Sequence, residues 1–264
     1  MHPKPLDPQL ILTQSPLADI RHFDEVGSTN DVAKQLVESS QPLALPTLVI
    51  ADVQTQGRGR SGKTWWSEPG SLAFSLVFAN AQFKQPGLIA VAAALGIASA
   101  IRRHAQELKV QIKWPNDVYV EARKVAGVLI ETVSNQLNGS TLVLGIGVNL
   151  NCDLNEAPAE LVSSAGSVLS LLGAPTDPNE FLCSLITSVA HYLDEIRSDS
   201  TRCLREYAKA SLFEADSPML ITLPNGQTLN GAYAGIGDNG QLLLNVREEL
   251  IEVNSATVDQ FTAR

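Results

Sequence analysis

A glycine-rich segment concentrates positive charge at one place in the chain. The octet Gly57–Thr64 reads GRGRSGKT, and no acidic residue lies between Gln54 and Trp66. Glycines let the backbone approach a ligand closely and adopt positive φ, while arginine and lysine supply charge and hydrogen-bond donors for phosphate oxygens. The segment therefore predicts a loop that binds an anion such as a phosphate.

The same octet satisfies the P-loop pattern G-x-x-x-x-G-K-[ST] letter for letter. A P-loop opens a helix whose N-terminus holds the phosphates, but Pro69 and Gly70 would break a helix within about one turn. No later apolar strand ends in a convincing metal-binding aspartate. We therefore interpret the octet as an anion-binding loop of another kind, with a solvated surface loop as the alternative.

A second motif, Lys113-Trp114-Pro115-Asn116-Asp117, ends a short predicted strand. Proline forces its predecessor into an extended conformation, and Asn-Asp favours a turn. Lys113 is therefore expected at a rigid strand end, where it would present one ammonium group to a ligand. The alternative is a strand with a solvated lysine and a core tryptophan.

Two glycine-containing strands predict a narrow slot. Gly127 interrupts an apolar run at a point where another group packs closely. In the strand predicted over residues 141–150, Gly145, Gly147 and Asn149 share one face because strand side chains alternate. Two positions without side chains form a flat shelf suited to a thin ring, and Asn149 adds a donor and an acceptor. Packing of this strand against a helix is the alternative.

No nucleophile with a matching base is evident in the sequence. The histidines are dispersed, and the cysteines are too few and too scattered for a disulfide framework or a zinc site. These residues are His2, His22, His104 and His191, and Cys152, Cys183 and Cys203. The motifs instead suit activation of a carboxylate by ATP. An ionised carboxylate is already a nucleophile, and nearby cations can stabilise the phosphorus oxygens.

Hydrophobic periodicity places these motifs on an α+β framework. Helices are predicted from Ser28 with a capping-box start, and over residues 88–108, 179–196 and 201–211; strands are predicted over 47–51, 71–78, 110–114, 124–132 and 141–150. Residues 1–20 are expected to form a loose arm. From about Asp216, short runs with turns at Asn225-Gly226 and Asp238-Asn239-Gly240 predict a small β domain.

Composition bounds the class of protein. The 264 residues are 44% apolar and 18% charged, which is typical of a globular chain. With 19 Lys+Arg against 28 Asp+Glu, the net charge is −9, which excludes a generic polyanion binder. No signal peptide is evident, and the most apolar stretch, Leu88–Ile101, is shorter than the roughly 20 residues of a membrane span. We expect a soluble cytoplasmic protein.

Five motifs occur in the order found in one known family, and the chain resembles the biotin–protein ligases, also called biotin–[acetyl-CoA-carboxylase] ligases. The motifs are Ser28-Thr29-Asn30; Gln54 with Gly57-Arg58-Gly59-Arg60-x-Gly62-Lys63-x-Trp65; Lys113-Trp114-Pro115-Asn116-Asp117; Lys124-x-x-Gly127-x-Leu129-x-Glu131; and Gly145-x-Gly147-x-Asn149. The resemblance covers about residues 21–264. It implies a mixed-sheet catalytic domain with packed helices, similar to class II synthetases and biotin–lipoate ligases, over residues 21–214. An SH3-like β-barrel would follow over residues 215–264, and an arm over residues 1–20 would precede both.

The resemblance also implies an activity. Members of the family join biotin to ATP, giving biotinyl-5′-AMP and pyrophosphate, and then transfer biotin to a lysine of a biotin carboxyl carrier protein. The implied biotin-binding residues are Ser28, Thr29, Asn30, Gln54, Arg58, Gly59, Arg60, Lys113, Gly127, Gly145 and Gly147; the implied ATP-binding residues are Arg58, Arg60, Trp65, Lys113 and Asn149. Mg²⁺ is implied by ATP, without assigned protein ligands.

Particular roles follow from the same resemblance. Lys113 would bridge the biotin carboxylate and the α-phosphate, and Arg60 would lie near the phosphate; these two are the implied catalytic residues. Trp65 would pack near adenine, although the adjacent Trp66 leaves open which ring stacks. Asp117 is an implied assistant in the loss of a proton from the acceptor lysine.

Two alternative hypotheses for the function remain. A lipoate ligase or octanoyltransferase would share the fold, and a non-catalytic nucleotide sensor or DNA-binding regulator is a second alternative. Many bacterial relatives carry an N-terminal helix-turn-helix domain, but only 27 residues precede Ser28 here. We therefore expect the monofunctional type, without DNA or membrane as a partner, and either a monomer or a homodimer.

Overall fold

The computed structural model describes residues 4–79, 85–155 and 157–261. The helices of these ranges are α1 (Pro8–Gln14), α2 (Thr29–Glu38), α3 (Pro86–His104), α4 (Ala159–Ser164), α5 (Val168–Leu172), α6 (Pro178–Ser198) and α7 (Thr201–Ala210). The strands are β1 (Asp19–Val26), β2 (Thr47–Gln54), β3 (Leu72–Ala79), β4 (Val110–Lys113), β5 (Asp117–Val120), β6 (Arg123–Asn135), β7 (Gly139–Val148), β8 (Pro218–Thr222), β9 (Thr228–Ile236), β10 (Leu242–Val246), β11 (Glu249–Val253) and β12 (Thr257–Phe261).

A large mixed sheet forms the centre of the fold. Its strand order is β1-β2-β3-β7-β6-β5-β4. The β1–β2 pair is parallel, and each other neighbouring pair is antiparallel. The central strand β7 is hydrogen-bonded on both sides, with Gly147 opposite Ala73 of β3 and Gly127 of β6. Its backbone is therefore fixed on both edges.

Helices cover both faces of this sheet because its buried strands are apolar on both sides. In β2, Leu48 and Ile50 join the larger core with α3 and α6, whereas Val49 joins a smaller core with Ala33 and Val37 of α2. Gly145 and Gly147 alternate with Leu144 and Ile146 of the larger core, so the glycines face the α2 side. The face of the sheet that carries the two glycines is thus the one that α2 covers.

The helix α3 is long and apolar. Within the described ranges, it is the one helix long and apolar enough to cross a membrane by length and composition. Here it packs against α6: a Cβ at Gly96 would lie 2.6 Å from Cγ2 of Val189. Twelve of its residues are buried, and it forms the centre of the larger core.

A second, antiparallel sheet with the order β11-β10-β9-β8-β12 follows the mixed-sheet region. It also contacts the larger domain outside the cavity described below. The Trp114 Nε1 donates to the Gly240 carbonyl at 2.9 Å, and the Ser211 and Tyr233 hydroxyls lie 3.2 Å apart. A Cβ at Gly87, at the start of α3, would lie 2.3 Å from the Asn239 carbonyl oxygen. The predicted α+β class with a small C-terminal β domain is confirmed, while the domain boundaries stay a prediction.

The loose arm predicted for residues 1–20 is wrong over its described part. Asp7 caps α1, since its carboxylate accepts from the Leu10 N–H at 3.0 Å, and Ile11 is fully buried. The Asp7 N–H donates to Oδ1 of Asn179 at 2.7 Å, which ties the arm to α6. The edge strand β1 then begins at Asp19. The Asp7 cap is local, but the contact with Asn179 joins segments 172 positions apart, for which the local sequence gives no signal.

One further prediction is corrected, and three short elements were not predicted. The helix α2 is present, but no capping box forms because the Ser28 side chain makes no cap hydrogen bond. The strand β5 and the short helices α4 and α5 were not predicted, since each has six or fewer residues and little periodicity. The three cysteines are free and buried, as expected of small core residues.

Candidate active site

One cavity of about 330 Å³ opens on the α2 face of the mixed sheet. Its walls come from the start of α2, the glycine-rich loop, the β4–β5 turn, β6 and β7, together with residues 256–258 of the small sheet. The structure brings every predicted site residue to this cavity. They are Ser28, Thr29, Asn30, Gln54, Arg58, Gly59, Arg60, Trp65, Lys113, Gly127, Gly145, Gly147 and Asn149. Histidine is absent from the lining among the described residues, and His2 lies outside them.

The end of the cavity beneath α2 is a buried polar cluster. Gln54 Oε1 accepts from the Thr29 N–H at 2.8 Å and from the Thr29 hydroxyl at 3.1 Å. Because both hydrogen bonds go to the amide oxygen, Nε2 of Gln54 keeps its donor capacity for a ligand. The Ser28 side chain, without a cap bond, lines the same end. This end therefore offers amide and hydroxyl groups to a polar ring.

Sequence reasoning missed Ser75, which holds this cluster together from β3. Its hydroxyl lies 2.8 Å from Thr29 Oγ1 and 2.6 Å from Asn30 Oδ1, and the side chain is fully buried. The Asn30 Nδ2 donates in turn to Glu131 at 2.7 Å. A buried network that is fully satisfied fixes its members in one arrangement. The signal was a single serine inside the apolar strand LAFSLVFA.

The glycine shelf forms, but side chains of the protein occupy it. A Cβ at Gly145 would lie 2.3 Å from Asn30 Oδ1, and a Cβ at Gly147 would lie 2.3 Å from Cε2 of the Trp65 indole. The expectation of a flat slot open to a ligand is therefore corrected: the shelf seats the Asn30 amide and the Trp65 ring. The two glycines position these groups against the cavity, because only a residue without Cβ admits such close approach.

Two cations of the larger domain are anchored on the small sheet. Arg60 donates to Asn116 Oδ1 and to the Ser255 hydroxyl, each at 3.2 Å. The Lys113 Nζ donates to the Val258 carbonyl at 3.1 Å and lies 4.7 Å from the centre of the Phe261 ring. Burial lowers the pKa of both groups, and nearby Asp117 partly opposes the shift. Neither cation contacts a carboxylate of residues 4–79, 85–155 or 157–261, which leaves their charge to an anionic ligand.

A third cation, Lys124, lies in the same cavity although sequence reasoning gave it no role. Its Nζ is 2.7 Å from Asp117 Oδ1, and it folds over Gly127, whose Cβ position is 3.4 Å from that Nζ. Burial of the lysine stem over a glycine places the ammonium on the cavity side of the strand. The signal was the spacing Lys124-x-x-Gly127 within a motif that was already noted.

Arg58 has a different environment at the rim. Its guanidinium binds both oxygens of Asp31 at 2.5 and 2.6 Å, and Lys34 lies 3.1 Å from Asp31 and 2.9 Å from Glu131. The Arg58 hydrogen bonds hold the pKa of Asp31 at about 2, although partial burial acts in the opposite direction. Burial alone would raise the pKa of Glu131, but the Lys34 and Asn30 hydrogen bonds leave it lowered.

The charges of the lining are unbalanced. The described lining contains one carboxylate, that of Asp117. It contains five basic residues, namely Arg58, Arg60, Lys63, Lys113 and Lys124. This excess of positive charge occurs in a chain of net charge −9. No group of three or more His, Cys, Asp or Glu that could hold a metal occurs among the described residues. The cavity therefore fits a polyanion that is contacted directly by side chains.

Comparison with known proteins identifies the family. The model of the Biotin/lipoate A/B protein ligase family matches residues 23–150. The biotin–[acetyl-CoA-carboxylase] ligase of Paracoccus denitrificans is 30% identical over 225 residues, which are 82% of this chain and 90% of the relative. The chain belongs to the biotin–[acetyl-CoA-carboxylase] ligase family. The bifunctional ligase/repressor BirA of Bacillus subtilis is 28% identical to this ligase over 90% of the chain and 73% of the relative.

A solved structure gives the same result for the fold. The biotin protein ligase from Aquifex aeolicus in complex with biotin and ATP superimposes on this ligase with a TM-score of 0.80 and 25% identity. The match covers 92% of this chain and 100% of the Aquifex chain. The predicted resemblance and the predicted enzyme class, a biotin ligase, are therefore confirmed.

The glycine-rich loop of this ligase is not a P-loop. Arg58 and Thr64 form an isolated antiparallel bridge, and a short 3₁₀ turn at Arg60–Gly62 lies between them. No helix follows within residues 57–70, all of which are described. A Cβ at Gly57 would lie 2.5 Å from the Trp65 carbonyl oxygen, so this glycine lets the two sides of the loop approach. The loop is a narrow hairpin that presents cations on a closed turn.

Proposed function

We propose that this ligase activates biotin with ATP as biotinyl-5′-AMP and then transfers biotin to one lysine of the biotin carboxyl carrier protein of acetyl-CoA carboxylase. One observation carries the proposal: a single cavity joins a buried amide and hydroxyl cluster to a group of five cations. Biotin has a polar ureido ring at one end and a carboxylate at the other. The two ends of the cavity match the two ends of that molecule.

In the first step, the polar end orients the ring and the cations receive the reacting groups. Gln54 Nε2, whose amide oxygen is held by Thr29, donates to the ureido oxygen. A carboxylate oxygen of biotin attacks the α-phosphorus of ATP, the bond from that phosphorus to the bridging oxygen breaks, and pyrophosphate leaves. Lys113 and Arg60 offset the charge on the phosphorus oxygens, which is the main requirement of phosphoryl chemistry with an anionic nucleophile.

In the second step, the neutral amine of the acceptor lysine attacks the acyl carbon of the adenylate. The C–N bond forms as the C–O bond to AMP breaks, and the amine gives up its proton. Asp117 is our candidate for assisting that proton loss. Its Oδ1 is bonded to Lys124 at 2.7 Å, which keeps the carboxylate beside the cations that hold the adenylate phosphate.

Mg²⁺ enters this proposal as part of the nucleotide substrate. The described lining has one carboxylate, and that carboxylate is paired with Lys124. A resident metal with a full set of protein ligands does not fit such a lining, whereas Mg²⁺ carried on substrate phosphates needs few protein ligands. The net charge of −9 disfavours DNA and anionic membranes as partners, and the proposal includes a cytoplasmic location. A monomer and a homodimer are both compatible with the proposal.

A direct assay tests the proposal. The ligase is incubated with ATP, Mg²⁺, biotin and a carrier domain, and the mass of the carrier reports biotin on its lysine. The matched control is the same carrier with its acceptor lysine replaced by arginine. Replacing biotin by lipoate tests the lipoate-ligase reading. A lipoyl product without a biotinyl product would refute the proposed substrate, and modification of the control carrier would refute a specific acceptor lysine.

A further inference from the structure

A short helix closes one side of the cavity beside Asn149. The helix α4 contributes Leu161 to the lining, and Ala165 follows directly after its end. The Asn149 Nδ2 donates to the Gly166 carbonyl at 3.1 Å, and the Gly166 N–H donates to the Lys124 carbonyl at 2.9 Å. The wall formed by Leu161 and Ala165 therefore adjoins the residue that we assign to the nucleotide.

This wall has little support from its own helix. The six residues of α4 include none that is buried, and its N-cap residue Pro158 makes no side-chain cap bond. Helices this short are marginal in water unless tertiary contacts hold them. Something outside α4 must therefore keep Leu161 against the cavity.

Arg123, at the first position of β6, supplies that support. Its Nη1 donates to the Val162 carbonyl at 3.1 Å and to the Ala165 carbonyl at 3.3 Å. Carbonyls at the end of a helix lack partners within the helix, and a basic side chain there satisfies them and interacts favourably with the helix dipole. The stem of Arg123 also packs on Gly166, where a Cβ would lie 3.0 Å from the arginine Cβ.

Arg123 acts from outside the cavity. It is exposed and is absent from the cavity lining, whereas its neighbour Lys124 faces the cavity and pairs with Asp117. The Arg123 guanidinium contacts carbonyls of the wall, and the Lys124 ammonium contacts Asp117 of the cavity lining. A change at Arg123 can therefore move the wall without removing a cation from the lining.

We propose that Arg123 is a positioning residue for ATP, holding the end of α4 so that Leu161 and Ala165 form the wall of the nucleotide half of the cavity. The inference rests on the proposed function. Its consequence is selective: loss of Arg123 weakens ATP binding and leaves biotin binding unchanged, because the hydrogen bonds of the polar cluster under α2 join Thr29, Asn30, Gln54, Ser75 and Glu131 and involve no described residue of α4. Such selectivity would not follow from a general loss of stability.

The test uses the full chain with Arg123→Met, Arg123→Lys and, as the matched control, Arg103→Met at an exposed position near the end of α3. Exchange of labelled pyrophosphate into ATP is measured while ATP is varied at saturating biotin and then while biotin is varied at saturating ATP. For Arg123→Met we expect the KM for ATP to rise roughly fivefold, as for loss of charge-assisted hydrogen bonds at an exposed site. The KM for biotin should stay at the wild-type value. Arg123→Lys should be intermediate, because one ammonium cannot replace the planar guanidinium fork.

The outcomes separate the inference from the function on which it rests. An unchanged KM for ATP in Arg123→Met, or an equal rise in both KM values, overturns the role of Arg123. If the wild-type chain exchanges no pyrophosphate with biotin present, the proposed function fails instead. In that case, calorimetry measures the affinity of wild type and variants for a non-hydrolysable ATP analogue, and an unchanged affinity in Arg123→Met overturns the role of Arg123. Thermal unfolding shows whether each variant is folded. If Arg123→Met is not folded, the KM values of Arg123→Lys are used for the test instead.

Discussion

Replacement of Gly147 by alanine should displace the Trp65 indole. The added Cβ would lie 2.3 Å from Cε2 and 2.5 Å from Cζ2 of that ring. The strand cannot yield, since β7 is paired with β3 and β6 on its two sides at this position. The backbone of Trp65 is also held, because its N–H donates to the Gly57 carbonyl at 2.9 Å. The side chain of Trp65 is therefore what must move.

The size of the effect follows from this geometry. The optimal separation of two non-bonded carbon atoms is about 3.5 Å, so the ring must move away by roughly 1.2 Å. No hydrogen bond resists that movement, since the buried Nε1 of Trp65 has no partner among the described residues. Overpacking of this kind costs about 1–3 kcal/mol, a cost that ATP binding must meet when it returns the displaced ring to its place, and about 1.4 kcal/mol corresponds to a tenfold change in affinity. We expect roughly a tenfold rise in the KM for ATP, because the ring moves into the space for the nucleotide.

A second substitution on the same strand provides the matched control. A Cβ at Gly145 would lie 2.3 Å from Asn30 Oδ1 and would disturb the hydrogen bonds of Asn30 to Ser75 and Glu131. Gly145→Ala should therefore raise the KM for biotin and spare that for ATP, the reverse of Gly147→Ala. Pyrophosphate exchange with each substrate varied in turn measures both. The reasoning is refuted if both variants raise the same KM, or if Gly147→Ala leaves the KM for ATP at the wild-type value.

Three further changes have defined outcomes. Lys113→Ala should abolish most adenylate formation in the pyrophosphate-exchange assay while far-UV circular dichroism stays native; wild-type exchange would remove Lys113 from its role. The pKa of Asp31 is about 2 in the folded protein and about 4 in an unfolded chain, so its charged form stabilises the fold. The stability difference between wild type and Asp31→Asn should be full above about pH 4 and fade toward pH 2 in urea unfolding; a difference independent of pH would contradict this. Trp114→Phe removes the 2.9 Å bond to the Gly240 carbonyl and should cost about 1–3 kcal/mol in the same assay, whereas an unchanged unfolding midpoint would show that the bond contributes nothing.

Much of the site could be predicted because its residues lie in short local motifs. Ser28-Thr29-Asn30 at the start of α2 and six residues of the glycine-rich octet line the cavity, as does Lys113 at its strand end. In each case the residues that indicate the chemistry lie within a few positions of one another in the sequence. Strand alternation also placed Gly145 and Gly147 correctly on one face, because that rule depends on local geometry alone.

The parts that could not be predicted depend on distant partners. Ser75 is 46 positions from Thr29, and its role exists because β3 lies next to β7 beneath α2. The shelf was expected to be open because nothing local shows that the Trp65 ring returns to Gly147. The loose arm was wrong for the same reason, since Asn179 holds Asp7 from another helix. Pairing between remote segments is decided by the whole fold.

The anchoring of Arg60 and Lys113 on the small sheet affects when the enzyme becomes competent during synthesis. Ser255 lies 195 positions after Arg60, and Val258 lies 145 positions after Lys113. A nascent chain that has not reached Ser255 holds every motif of the cavity, yet Lys113 lacks the Val258 carbonyl and Arg60 has Asn116 but not Ser255 as a partner. Because chains are made from the N-terminus, we expect the competence for biotin ligation to arise only as synthesis reaches β12 and that strand pairs with β8. Premature termination in the last strands would therefore leave a chain that carries all its motifs and an unfinished catalytic centre.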